Sequence, residues 1–187
     1  MKKILMVSSL LVLPLSFSHA DNHMNQKSSG THSTMRSHST SMGHDANYLD
    51  SYSAHHRDGI AMAEMAATRA ENPELKKLAS KMVKEQTEEV NQMKKWREQY
   101  FPNVQSEEER LERVDLSKLQ ESKGKEFDSQ FAKMMIKHHE DGIKLSKEVS
   151  AKLENEKIKS FAEKSISKQN EELKKLNELS KKIEKKS

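Results

Sequence analysis

Two pairs of adjacent histidines, His55-His56 and His138-His139, are each followed by the same run, Asp58-Gly59-Ile60 in one case and Asp141-Gly142-Ile143 in the other. Imidazole beside thioether is metal-ligand chemistry: imidazole suits Cu(II) and other transition ions, and thioether suits the softer Cu(I). Met134 and Met135 precede His138 by about one turn of helix, so soft donors and an imidazole share a face. A second group of such donors lies near the N-terminus, where His23, Met24, His32, Met35, His38, Met42 and His44 alternate. They occupy residues 21–45, a stretch with no Leu, Ile, Val, Phe, Trp or Tyr. Such a segment buries too little to offset its ordering entropy and reads as a disordered tail. A flexible His/Met tail can wrap a copper ion, with silver as its mimic, without a preformed cage.

The same inventory excludes much else. The chain of 187 residues has no Cys, which removes disulfides, thiolate zinc sites and Cys nucleophiles. No Glu-x-x-His occurs, so a ferritin-type di-iron centre lacks its ligands. No Gly-rich phosphate loop or nucleophile elbow is present, and nothing in the sequence argues for an enzyme. The net charge of +4 comes from Lys and Arg interleaved with Glu, a pattern that points away from nucleic acid.

The elements that must hold these residues follow from a repeat. Sliding the chain by 83 residues pairs Tyr48–Trp96 with Phe131–Leu179 without a gap, and 13 of the 49 pairs are identical. Besides the His-His-x-Asp-Gly-Ile run, Glu71-Asn72 matches Glu154-Asn155 and Gln86-x-Glu88-Glu89 matches Gln169-x-Glu171-Glu172. Apolar residues recur at helical spacing on both sides of each Glu-Asn, so each copy predicts two helices around a short turn. The expected architecture is all-α, a four-helix bundle with hairpin repeats at 46–100 and 126–185 within a domain of 46–187. The connection 101–125 is long enough to cross the bundle, and Ser106-Glu107-Glu108-Glu109 resembles a helix start. Ahead of all this, Lys2-Lys3, the apolar run Ile4–Leu15 and Ser18-His19-Ala20 read as a signal peptide, residues 1–20, cleaved near Ala20. The mature chain is then expected to be secreted or periplasmic, without membrane insertion.

On a helical wheel His55 and His138 fall inside the apolar stripe, whereas His56 and His139 fall at its edge. Gln86 and Gln169 are central on the return helices, with Glu89 and Glu172 flanking. Gly59 and Gly142 each cost a helix about 1 kcal/mol, which implies that something needs the room. Two explanations stay open. The histidines could be core residues satisfied by Gln86 and Gln169, in a polar layer that fixes register. Alternatively His55 and His138, with the flanking Met134, Met135, Asp58, Asp141, Glu89 or Glu172, ligate a metal that Gln86 and Gln169 help to orient. An inverted second hairpin would set the two His layers roughly 12 Å apart, at 1.5 Å per residue, and exclude one shared ion.

The run Phe127-Asp128-x-x-Phe131-x-x-Met134-Met135-Ile136-x-His138-His139-x-x-Gly142-Ile143, with Gln169-x-x-Glu172-Leu173, resembles the bacterial domain-of-unknown-function family 305 over about residues 46–185. The resemblance implies a ferritin-like bundle, related to periplasmic copper-binding proteins of the CopM kind, that buffers or hands on copper without catalysis. It implies Met134, Met135, His138 and His139 as the positions of the second copy, with His55 and His56 in the first, where Ser51 and Tyr52 replace the methionines. The partners expected are metal ions, and no protein partner is indicated. A structural or interaction module of the envelope is the competing reading, and a redox enzyme using the metal a weaker one.

Overall fold

The computed structural model describes residues 32–106, 108 and 111–185, the side chains of 32–42 excepted. The expected signal peptide and the His23-Met24 end of the tail lie outside the described residues. Among those described, every regular element is helical: α1 His32–Arg69, α2 Pro73–Tyr100, α3 Ser117–Glu121, α4 Gly124–Ser150 and α5 Glu156–Glu184. α1 begins inside the segment expected to be a tail, so the boundary placed at residue 45 does not coincide with a helix end. The connection carries the short α3, and at the expected helix start Ser106 Oγ accepts from the Glu108 N–H at 3.3 Å, with Glu108 in a 3-10 turn.

Helices α1 and α2 form one hairpin, α4 and α5 the other. Both turns are built alike, because Asn72 and Asn155 each cap the second helix through side-chain oxygens that accept from main-chain N–H groups, those of Glu74 and Leu75 and of Lys157 and Ile158. Pro73 follows Asn72 in the first turn, where its missing N–H costs nothing.

A reciprocal contact docks the hairpins. Asp128, at the start of α4, accepts from the main-chain N–H groups of Glu71 (3.0 Å) and Asn72 (2.7 Å). Asp45, on α1, accepts from Glu154 (3.3 Å) and Asn155 (3.2 Å). Both carboxylates are buried. Asp45, in the N-terminal half of α1, thus meets the α4–α5 turn and Asp128, near the start of α4, meets the α1–α2 turn, so α1 and α4 run antiparallel and the second hairpin is inverted. The connection must then pass from one end of the bundle to the other. Arginines pin it on the way: Arg97 donates to the carbonyls of Phe101 and Val104, Arg57 pairs with Glu108, Arg113 with Asp58, and Arg69 donates to the carbonyls of Gln120 and Ser122.

Two apolar clusters fill the ends. One joins Met62, Ala66, Leu75, Met82, Leu119, Phe127, Phe131, Met135 and Leu176; the other joins Tyr48, Leu49, Tyr52, Met93, Phe101, Leu153 and Ile158. Along all four long helices the residues between them are polar: His55, His56, Gln86, Glu89, His138, His139, Gln169 and Glu172. A belt of buried polar groups thus separates two greasy halves, and every member of it needs a partner.

Candidate metal centre

The belt has two kinds of histidine, set by which helix each faces. A bundle helix packs against two neighbours, so its buried surface has two seams rather than one stripe. His56 and His139 face the partner helix of their own hairpin, where each Nε2 lies 2.8 Å from a carboxylate oxygen, of Glu89 and Glu172 respectively. Both rings are fully buried, which corrects the edge placement the wheel gave them.

His55 and His138 face each other across the α1–α4 seam. Their rings stack with centroids 3.7 Å apart at an interplanar angle of 22°. His55 Nε2 lies 3.0 Å from the main-chain carbonyl of His138, and His138 Nε2 lies 2.8 Å from that of His55. A carbonyl only accepts, so each Nε2–H donates. The predicted separation of the layers by roughly 12 Å is therefore wrong although the hairpins are inverted. The glycines explain why: an added Cβ at Gly59 would lie 2.7 Å from His138 Cε1, and one at Gly142 would lie 2.6 Å from His55 Cε1. Each imidazole reaches across and occupies the space that the missing Cβ of the facing helix leaves.

The glutamines do not satisfy the histidines, so the polar layer is not built on His–Gln hydrogen bonds as the packing explanation requires. Gln169 Nε2 donates to Tyr52 Oη at 3.0 Å, and the Tyr52 ring stacks on His55 with centroids 5.7 Å apart. The Oε1 atoms of Gln86 and Gln169 sit against Gly59 and Gly142 and are buried without a hydrogen-bond partner. The Nδ1 atoms of all four histidines are likewise buried and unpartnered.

Burial dominates the titration of this pair. Loss of solvation, helped by the neighbouring His56, lowers the His55 pKa to about 4. The same cause, with the stacked His55 as the next contribution, holds His138 well below the ordinary imidazole value. Both rings are therefore neutral at physiological pH. Burial opposes ionisation of Glu89 also, but hydrogen bonds from His56 and Lys168 outweigh it and lower its pKa.

His55 and His138 also line a cleft of about 600 Å³ along the α1–α4 seam, together with Asp58, Met62, Met134, Asp141 and, from the connection, Glu112, Arg113 and Val114. Met134 is half-buried here, whereas Met62 and Met135 are fully buried in the apolar cluster. Met62 was not singled out from the sequence; its position seven residues after His55, two turns along the same face, was the available signal. Of the tail donors, His44 is exposed on α1, and the helical backbone includes His32, Met35, His38 and Met42. Among the described residues no three His, Cys, Asp or Glu side chains are grouped as a metal site, and the donor types lining the cleft are two imidazoles, two thioethers and the carboxylates of Asp58, Glu112 and Asp141.

The family model described as "Domain of unknown function (DUF305)" matches residues 16–97 and 45–180. No curated protein matches the chain. Among solved structures, CopM in the Cu(I)-bound form is 31% identical with a TM-score of 0.66, covering 74% of this chain and 96% of CopM. CopM in the Cu(II)-bound form is 28% identical with a TM-score of 0.65 over the same shares of the two chains. A DUF305 protein from Streptomyces coelicolor, 20% identical, shares the fold with a TM-score of 0.68, covering 75% of this chain and 93% of its own. The chain belongs to the DUF305 family.

Proposed function

We propose that this DUF305 protein is a secreted or periplasmic metal-binding bundle that scavenges or carries copper, with silver as an alternative ion, and catalyses no reaction. The observation that carries the reading is a cleft lined by His55, His138, Met62 and Met134 in a chain 31% identical to CopM in its Cu(I)-bound form. Neutral imidazole and thioether are the donors that a soft ion selects. Among the described residues no helix is long and apolar enough to cross a membrane, which agrees with a chain released after its signal peptide. His23, Met24, His32, Met35, His38, Met42 and His44 would supply first capture, and the cleft would retain the ion.

His56 and His139 play a different part in this reading. Each is already engaged by a carboxylate within its own hairpin, so both hold register and leave the ion to the cleft; Met135 fills the core beside it.

The test is the metal content of the mature, untagged chain after exposure to Cu(I) or Ag(I) and removal of loose metal. At least one ion per chain is expected to survive, to be lost in the double variant His55→Ala, Met134→Ala, and to persist in His56→Ala. A chain that retains no ion, or retains it undiminished without His55 and Met134 and without the tail, contradicts the reading.

A further inference from the structure

We propose that the bundle opens as a book does, with the α1–α4 seam as its spine, the α2–α5 seam as its free edge and Lys168 as the latch of that edge. The inference concerns a movement of the whole fold and holds whichever ligand the protein takes.

Three observations support it. The first is how each seam is fastened. Along the spine the fastenings end on main chain: Asp128 on the N–H groups of Glu71 and Asn72, Asp45 on those of Glu154 and Asn155, and between them His55 and His138 on each other's carbonyls. Main-chain groups move only with their helices, so a row of such bonds along one line serves as a hinge axis. Across the free edge the fastenings join side chain to side chain. Lys168 Nζ lies 2.9 Å from a carboxylate oxygen of Glu85 and 2.9 Å from one of Glu89, Lys81 Nζ lies 3.9 Å from Glu172, and Lys182 Nζ lies 3.2 Å from Glu74. Nearer the α4–α5 turn, the Trp96 and Phe161 rings meet edge to face with centroids 5.6 Å apart. Contacts of this kind are released by a change of rotamer.

The second observation is spacing. α2 and α5 lie less closely together than α1 and α4 do. A pocket of about 380 Å³ sits between them, lined by those two helices alone, with Glu88, Glu89, Phe161 and Ser165 among its walls. The connection covers the other seam, where Asp58 holds Arg113 and the Val114 N–H. Opening the free edge therefore leads to the Glu89 and Glu172 side of the polar belt.

The third is broken symmetry. The offset of 83 makes Lys168 the repeat equivalent of Glu85, so the two meet about the pseudo-two-fold axis that relates His55 to His138. A faithful repeat would set two like charges against each other there. The neighbouring positions keep their identity, Gln86 with Gln169 and Glu89 with Glu172, while this one carries opposite signs in the two copies. Burial opposes the charge on Lys168, but its interactions with Glu85 and Glu89 outweigh that and raise its pKa. A half-buried lysine shared by two carboxylates is weakened by salt, whereas the buried bonds of the spine are screened much less.

The chain has no cysteine, so the mature full-length protein can be spin-labelled at introduced pairs without background. Glu88→Cys with Glu171→Cys spans the edge, and Glu64→Cys with Glu140→Cys reports on the spine; all four positions are exposed. In low salt the edge pair should give one narrow distance. In Lys168→Met, or in the parent at about 1 M NaCl where the Debye length is about 3 Å, a longer and broader population should grow about fivefold to tenfold. The spine distance should not change. Trp96, the chain's single tryptophan, should shift its emission to the red under the same conditions in unlabelled protein. Lys168→Arg, which keeps the charge, should stay closed. An edge distance indifferent to both salt and Lys168→Met overturns the latch, as does a Lys168→Arg chain that opens like Lys168→Met. A spine pair that widens together with the edge overturns the hinge, and so does loss of helical circular dichroism in step with the edge distance. Should Lys168→Met fail to fold, the salt titration of the parent decides.

Discussion

Replacing Gly142 by Ala sets two effects of opposite sign against each other, and the structure says which one wins. In an open helix the change gains about 1 kcal/mol of propensity. At this position the new Cβ would lie 2.6 Å from Gln169 Oε1 and 2.6 Å from His55 Cε1. Neither neighbour is free to retreat, since the amide is tied to Tyr52 through its Nε2 and the imidazole to the carbonyl of His138. Overpacking of this kind costs about 1–3 kcal/mol, and a displaced His55 leaves a buried donor unpaired at a further cost of about 1–3 kcal/mol. The net expectation is a loss of about 1–5 kcal/mol, read as a fall in Tm of about 2–4 °C for each kcal/mol in a chain of this size. Gly43 is the control, because nothing lies within 4 Å of a Cβ there. Gly43→Ala should raise stability slightly while Gly142→Ala lowers it and weakens silver retention. Gly59→Ala, whose Cβ would meet Gln86 Oε1 at 2.5 Å, should mirror Gly142→Ala. If Gly142→Ala melts as high as Gly43→Ala, the close approach of the two helices is not what the glycine provides.

His139→Ala should cost about 3–5 kcal/mol, because Glu172 is left buried with only Lys81 at 3.9 Å, whereas His56→Ala should cost about 1–2 kcal/mol because Glu89 keeps Lys168 at 2.9 Å. Guanidinium unfolding compares them, and equal losses would deny the two carboxylates their different settings. Asp128→Ala should cost about 2–3 kcal/mol in urea unfolding and exceed Asp45→Ala, whose hydrogen bonds are longer; a neutral Asp128→Ala would mean that the dock does not hold the hairpins. For His55 the sign is that of a base whose folded pKa is lowered. Its neutral form is the one the fold keeps, so stability is full above the ordinary value of 6.5 and falls as pH drops toward about 4, by about 3 kcal/mol in all. Tm measured across that window should fall less in His55→Gln than in the parent chain, and parallel curves would contradict the assignment.

The 83-residue repeat, the two hairpins and the polar belt were all legible in the sequence, because amphipathic spacing and the Asn caps are local signals. What defeated the reading was non-local. A wheel assumes one buried stripe, but α1 and α4 each face two neighbours, so His56 and His139 went to an edge that is in fact the intra-hairpin seam. Helix midpoints alone set the His layers apart, but each imidazole reaches into the space that Gly59 or Gly142 leaves. Asp45 and Asp128 were missed although they keep the same 83-residue offset, since Asp45 fell inside a segment whose composition reads as tail. Composition alone could not say that α1 begins ahead of it.

A repeat that packs against itself about a pseudo-two-fold axis constrains its own sequence. Wherever a residue of one copy touches the equivalent residue or main chain of the other, a change in one copy must be absorbed by both. His55 and His138 contact each other; Gly59 and Gly142 receive each other's histidine; Asp45 and Asp128 dock on each other's turns. Their identity across the repeat is thus accounted for by packing before any ligand is considered. The His-His-x-Asp-Gly-Ile run that first suggests a metal site is, on this ground, chiefly the signature of the interface. Chemistry specific to one ion has to be sought where the copies differ within reach of those imidazoles, as Met134 differs from Ser51 and Met62 from Leu145. That places the discriminating donors at one end of the cleft, so exchanging the two ends, with Ser51→Met and Met134→Ser together, should move silver along the seam rather than abolish its binding.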